Sequence, residues 1–366
     1  MQTRIPCVLM RGGTSRGPYF LASDLPADEA QRDAVLLAAM GSPHPLQIDG
    51  IGGTSSLSSK VAIVSPSSEP GVDVEYLFAQ VSITDATVDT RPNCGNMLAG
   101  VGPFAIEAGL VKPTGEATQV TIRNRNTGAL IDAVVLTPGG EVTYDGDASI
   151  PGVPGTAAPI QIRFRDVAGS KTGALFPTGK RQEEIQGVPV TLIDGAMPMM
   201  IVEAAQLGAD AEAAPEAIEG DAALMARIEA MRLEAGQRMG LGDVRGSVIP
   251  KPALVGPGRD GAGIAARYLT PHAVHRAMAV TGGITLAIAA RMTGTVAQPL
   301  CRDEGQVVHI AHPAGLLDIA LEIENDAVVW AGVLRTARRI FEGNLLVPSA
   351  IWAGRGAAET PALAAE

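Results

Sequence analysis

Two stretches of this chain share an arrangement that narrows what it can fold into. In each, a glycine-bearing turn runs directly into an unusually apolar, small-residue helix. The first is Asn93-Cys94-Gly95-Asn96, followed by Met97 to Glu107; the second is Thr281-Gly282-Gly283, followed by Ile284 to Met292. A helix that is apolar on every side has to be buried. Strand-like segments flank both helices, so each is expected at the centre of its own α+β half. Free N–H groups and the positive end of the macrodipole make such helix heads suitable for carboxylates, and two heads facing a cleft would form a dicarboxylate trap.

The other segments fill in these halves. Short apolar or alternating runs predict strands at Cys7–Met10, Tyr19–Leu21, Lys60–Val64, Val72–Ile83, Thr118–Arg123, Leu130–Leu136, Val142–Tyr144 and Pro159–Phe164, with a helix over Ala27–Met40. A second set is predicted at Val188–Ile193, Met199–Glu203, Pro250–Gly256, Gly263–Leu269, Val307–His312, Leu317–Glu324 and Ala327–Thr336, with a surface helix over Asp221–Arg238. We expect a first lobe over residues 1–184 and a second over 185–339. A strand near 340–350 would return to the first lobe, and 355–366 would form a small, polar, flexible tail.

Composition excludes several function classes. The chain has 28 basic against 39 acidic side chains, a net charge of −11, only 3% aromatics and no Lys/Arg block, so no nucleic-acid partner is expected. Cys7, Cys94 and Cys301 are odd in number and far apart, which argues against a disulfide framework or a zinc cluster. The pairs His272/His275 and His309/His312 have no further ligand nearby, so no metal is expected. Neither a signal-peptide pattern nor an apolar run of membrane-spanning length is present. A cytoplasmic protein acting on a small molecule, without a membrane partner, is expected.

Cys94 precedes the first apolar helix, where free N–H groups favour a thiolate, and Gly95 allows close approach of an anion. The competing reading is a buried cysteine in a tight turn. Lys60 opens an apolar strand next to Ser58 and Ser59. Taken alone it reads as an exposed strand-end lysine, and if buried it could serve as a base.

Together the motifs Arg11-Gly12-Gly13-Thr14-Ser15, Asp49-Gly50-Ile51-Gly52-Gly53, Ser59-Lys60-Val61-Ala62 and Asn93-Cys94-Gly95-Asn96 to Ala105 resemble the diaminopimelate epimerase-like superfamily. Within it the chain is similar to the branch of 2-methylaconitate isomerase, methylitaconate isomerase and 4-oxalomesaconate tautomerase/isomerase. Tyr76-Leu77-Phe78-Ala79-Gln80, Leu241-Gly242-Asp243-Val244 and the Arg335 segment resemble the 4-oxalomesaconate enzymes of gallate and protocatechuate 4,5-cleavage. The resemblance implies two pseudo-symmetric lobes, each a curved, mostly antiparallel sheet wrapped on a central helix. It departs from the epimerases in one respect: Thr281 stands where a second cysteine would head the second helix, and threonine is too weak an acid to replace it. The resemblance instead pairs Lys60 with Cys94. Arg16 stands where many relatives carry lysine, and it fits carboxylate binding because arginine stays charged.

Moving a double bond or ketonising an enol beside carboxylates needs one base, one acid and fixed positive dipoles, and no organic cofactor. We expect Lys60 as base and Cys94 as acid or orienting partner. Arg11, Thr14, Ser15, Ser55, Ser56, Asn93, Gly95, Asn96, Thr281, Gly282 and Gly283 are expected to bind carboxylates. Arg11 could equally pair with Asp49. One of Arg267, His272 and Arg276 is expected to reach the cleft, with Arg267 and His272 taken as candidates. Cys7 and Cys301 are read as structural. The expected activity is a 1,3-proton shift or keto–enol tautomerisation on an unsaturated tricarboxylate, first 4-oxalomesaconate and next 2-methylaconitate or aconitate. A monomer and a homodimer both fit.

Overall fold

The computed structural model describes residues 1–354 except 166 and 271, so the expected tail at 355–366 lies outside the described residues. The chain is a sheet-rich α+β protein that divides into two compact units. One is Met1–Ile162 together with the segment from Arg335, and the other is Arg163–Leu334.

The first unit contains β1 (Gln2–Gly12), β2 (Ser15–Leu21), α1 (Glu29–Met40), β3 (Lys60–Pro66), β4 (Val74–Val81), β5 (Val88–Asp89), α2 (Gly95–Leu98), α3 (Val101–Glu107), β6 (Ala117–Asn124) and β7 (Leu130–Leu136), and β8 (Ile160–Phe164) begins in it and ends in the second. Its ladder runs β1–β2 antiparallel, β2–β3 parallel, β3–β4 antiparallel, β4–β6 parallel and β6–β7 antiparallel. Parallel neighbours require a crossover; α1 provides the first, and α2 with α3 the second.

Helix α1 starts two residues later than the sequence suggests because Asp28, not Pro26, supplies the cap, accepting from the Gln31 N–H at 2.8 Å. Its buried Val35, Leu36 and Met40 pack against Val61, Ile63, Ala79 and Val81, each such side chain contributing about 1.5–3 kcal/mol. The alternate residues of β3 and β4 therefore face the opposite way, toward α2 and α3. Met97, Leu98 and every residue from Val101 to Ile106 are buried, as a central helix requires. The strand expected at Val142–Tyr144 does not form. Single bonds from Thr143 N–H to Leu136 and from Ala158 N–H to the Tyr144 carbonyl hold this stretch instead of a ladder.

The second unit contains β9 (Glu183–Ile185), β10 (Val188–Asp194), β11 (Pro198–Glu203), α4 (Pro215–Glu219), α5 (Ala222–Arg238), β12 (Lys251–Pro257), β13 (Ile264–Tyr268), α6 (Val280–Arg291), β14 (Val307–His312), β15 (Gly315–Glu324) and β16 (Ala327–Arg335). Here β10–β11 is antiparallel, β11–β12 parallel, β12–β13 antiparallel, β13–β14 parallel and β14–β15 antiparallel. Ile228, Met231 and Ala235 of α5 bury against Leu192, Met200, Leu254 and Leu269. The other sheet face carries α6, buried throughout from Gly282 to Ala290.

Helix α6 begins at Val280, four residues before the predicted Ile284, so the Thr281-Gly282-Gly283 turn is its first turn and not a loop ahead of it. A Cβ at Gly282 would meet the Tyr268 ring, and one at Gly283 would meet Leu317. These glycines answer to close packing on the sheet, which overrides their low helix propensity. Finally β17 (Ala337–Pro348) pairs antiparallel with β1, returning the chain to the first unit.

Candidate active site

The inner face of β4 organises the first unit's candidate residues. Tyr76, Phe78 and Gln80 alternate onto the face away from α1. Tyr76 Oη donates to the Cys94 carbonyl at 3.4 Å, the Phe78 ring centroid lies 5.1 Å from Lys60 Nζ, and Gln80 Oε1 accepts from Lys60 Nζ at 2.6 Å. Lys60 is directly opposite Gln80 in the ladder. The amine and the cysteine are thus tied to one face of one strand.

Lys60 is half-buried, and its neighbours at Nζ are a neutral acceptor and an aromatic ring. No carboxylate pairs with it among the described residues. Gln80 is itself fixed: its Nε2 donates to the Ser59 carbonyl at 2.8 Å and the Ser56 carbonyl at 3.2 Å, so only its oxygen can face the amine. On the other side, Gly17 of β2 runs so close to the Lys60 carbonyl that any Cβ would overlap it. The backbone of Lys60 is therefore as constrained as its side chain.

Cys94 is 9% exposed, has extended backbone angles and caps α2, with its carbonyl accepting from the Leu98 N–H at 3.1 Å. Its side chain does not make the cap, so the thiol remains available. No atom lies within 4 Å of where a Gly95 Cβ would sit, so protein packing does not demand this glycine. Tyr19 Oη donates to the Met97 carbonyl at 2.5 Å. Burial, with the neighbouring Cys94 adding to it, holds the Tyr19 and Tyr76 phenols well above their ordinary range, so both remain protonated donors.

The Arg11–Ser15 loop lies against this helix head. Gly13, at φ +50°, sits where a Cβ would strike Asn96, and Asn96 Nδ2 donates to Thr14 Oγ1 at 3.0 Å. Ser15 is 1% exposed, shares the β2 face of Gly17 and Tyr19, and its hydroxyl has no partner among the described residues. Arg11 braces the loop: its Nη1 donates to the Gly13 carbonyl at 2.9 Å and to the Thr336 carbonyl and hydroxyl, both at 3.0 Å. It makes no pair with Asp49. Ser55 and Ser56 are exposed on a loop anchored by buried Gln47, which accepts from the Thr54 N–H and donates to Ser59 Oγ. Asn93 is exposed and accepts from Asn124 Nδ2 at 2.6 Å. An open groove of about 740 Å³ borders this region at Thr54, Ser56 and Gln80, without Lys60 or Cys94 in its lining.

In the second unit, Thr281 and Gly282 occupy the first turn of α6, while the Gly283 N–H is committed to the Ala279 carbonyl at 2.9 Å. Arg267 is not brought to this helix. It shares the β13 face of Ala265 and Leu269, packed toward α5, and donates to the Ala213 and Ala266 carbonyls. Arg276 pairs with Glu216 and Glu219, and His272 is exposed. Their position in the sequence, just ahead of α6, did not predict these directions. Cys7 packs in the α1 core, and burial raises its thiol and that of Cys301. Among the described residues no three His, Cys, Asp or Glu side chains gather as a metal site. Sequence reasoning singled out Tyr76-Leu77-Phe78-Ala79-Gln80 as a resemblance motif but gave Tyr76, Phe78 and Gln80 no role in the site; their period-two spacing opposite the Lys60 strand was the available signal.

The model of the PrpF protein family matches residues 2–348. The chain is 50% identical over 346 residues to the (4E)-oxalomesaconate Delta-isomerase of Novosphingobium sp. (strain KA1), covering 93% of this chain and 97% of that one. It is 47% identical over 356 residues to the 4-oxalomesaconate tautomerase of Pseudomonas putida, covering 96% and 99%. The crystal structure of methylitaconate-delta-isomerase superposes with a TM-score of 0.87 at 38% identity, over 98% of this chain and 100% of that one. The chain belongs to the PrpF protein family and is an isomerase.

Proposed function

We propose that this isomerase moves a proton on an unsaturated tricarboxylate, with 4-oxalomesaconate of aromatic-acid degradation as its substrate. The observation that carries the reading is the shared β4 face: an amine held by Gln80 and Phe78, and a cysteine at a helix head held by Tyr76. The names of the two relatives at 50% and 47% identity support the choice of substrate.

In this reading the Lys60 amine removes a carbon-bound proton and the negative charge spreads onto a carboxylate or keto oxygen. Cys94 then returns a proton two atoms away or at the enol terminus. The Phe78 ring favours the ammonium formed in the first step. Thr14, Ser15, Asn96 and the Gly95 N–H take substrate carboxylates, with Arg11, Asn93, Ser55 and Ser56 shaping or extending that set. Within the second unit, Thr281 and Gly282 at the head of α6 offer N–H groups to a carboxylate, while the Gly283 N–H is used inside the helix. The two units are copies of one plan, a reading supported by the identical order of parallel and antiparallel pairs in both ladders.

The direct test is incubation with 4-oxalomesaconate and, separately, with 2-methylaconitate and aconitate in deuterated water, following deuterium by NMR. Turnover with label entering at the two carbons of the oxalomesaconate shift is expected. Exchange confined to methylaconitate or aconitate would transfer the assignment to those substrates. Gln80→Leu is expected to lower kcat about 100-fold, the cost of a reacting group displaced by about 1 Å, with KM little changed. Steady-state rates at a fixed pH check this, and an unchanged kcat would remove Gln80 from the site.

A further inference from the structure

The matching ladders make β12 the counterpart of β3, since each is the parallel neighbour reached by a helical crossover. Each strand also opens on the same pattern: Lys60-Val61-Ala62 in one, Lys251-Pro252-Ala253 in the other. Across the antiparallel pair, Ala62 faces Phe78 and Ala253 faces Tyr268. Lysine, then alanine opposite an aromatic ring, therefore recurs at equivalent positions.

The direction of the Lys251 side chain follows from alternation. Leu254 belongs to the core under α5, so Lys251, Ala253 and Val255 lie on the α6 face. Tyr268 packs there against Gly282 in the first turn of α6. Because β12 runs antiparallel to β13, its first residue lies at the end where β13 stops and the chain leads into α6.

Lys60 has Gln80 as acceptor, and Lys251 has no such partner. Lys251 is 8% exposed, yet among the described residues its ammonium has no hydrogen bond and no ion pair. The charged group acting on it is a like one, Arg232, whose guanidinium is already committed to Glu229 and to the Val244, Ser247 and Ile249 carbonyls. A cation largely withdrawn from water without a counter-charge is costly, and keeping one on the α6 face, at the end of the sheet where the chain leads into that helix, fits a site whose counter-charge arrives with a ligand. Burial and Arg232 lower its proton affinity in the empty site, and a carboxylate would restore it.

We propose that Lys251, together with the free first-turn N–H groups of Thr281 and Gly282, forms a carboxylate-binding site at the head of α6. This deepens the tricarboxylate reading above and rests on it for the identity of the ligand. The Lys251 ammonium supplies the charge and the helix head supplies aligned donors.

The probe is tricarballylate, a saturated tricarboxylate that cannot be isomerised. Acylation of Lys251 in the full-length protein, resolved by peptide mass spectrometry, is expected to slow when tricarballylate is added and not when sulfate is added at equal ionic strength. Lys251→Met is expected to weaken tricarballylate binding about tenfold or more by calorimetry, as loss of a charged hydrogen bond requires. Lys251→Arg, which keeps the cation, is expected to retain most of the affinity, and neither variant should melt earlier than the parent. Labelling indifferent to tricarballylate, or equal protection by sulfate, overturns the proposal, as does undiminished affinity in Lys251→Met. Protection of Lys251 without deuterium exchange into oxalomesaconate, methylaconitate or aconitate would leave this site standing and remove the isomerase substrate assignment.

Discussion

Replacing Lys60 with methionine is expected to lower kcat on 4-oxalomesaconate by about 10²–10⁴-fold, the usual contribution of one positioned proton carrier. Methionine keeps an apolar stem of similar length against Phe78 and loses only the nitrogen. Gln80 Oε1 loses its donor, but the site is only half-buried, so water can satisfy it and the fold should survive. KM should change far less, because carboxylate recognition is assigned to other groups. Lys60→Arg separates the two roles a lysine could have: a guanidinium keeps the charge but cannot act as a base near neutral pH. The arginine variant should therefore be as slow as the methionine variant, with melting temperatures close to the parent in both. Substantial turnover with arginine would make Lys60 an electrostatic group and transfer proton abstraction to another residue.

Much of this arrangement was legible in the chain itself. Apolar periodicity located nearly every strand, and the all-round apolar character of 97–107 and 284–292 marked both buried helical stretches, although the first is divided at Ala99–Gly100 into α2 and α3. The element ends were less legible where packing decided them. Gly282 and Gly283 read as a loop because glycine disfavours helices, yet Tyr268 and Leu317 press so closely on α6 that only glycine fits. Tyr144 and its neighbours looked like a strand but hydrogen-bond singly to Leu136 and Ala158. At the site, the Cys94 turn and Lys60 were readable as residue types in context. Gln80 was not, because a glutamine in a strand carries no local mark of function; it matters through the cross-strand register that sets it opposite Lys60. Arg267 failed for the complementary reason: distance along the chain from α6 says nothing about sheet face, and one step along β13 reverses the direction of a side chain.

Cys94→Ala is expected to separate the two halves of the reaction. With Lys60 as base and Cys94 as acid, the variant can still abstract and return a proton at the first carbon but cannot deliver one to the second. Net isomerisation should fall by about 10²–10⁴-fold. Exchange of deuterium at the carbon facing Lys60 should persist within about tenfold of the parent, since Gln80 and Phe78 still hold the amine. The small side chain fits without strain, because Cys94 makes no cap with its sulfur and Tyr76 binds its backbone carbonyl, which alanine retains. NMR of the substrate recovered from deuterated water, compared with the rate of product formation, measures both quantities in one sample. Loss of exchange and isomerisation together would make Cys94 the base and reverse the two assignments. Retention of both would reduce the thiol to a packing role and leave the returning proton to solvent.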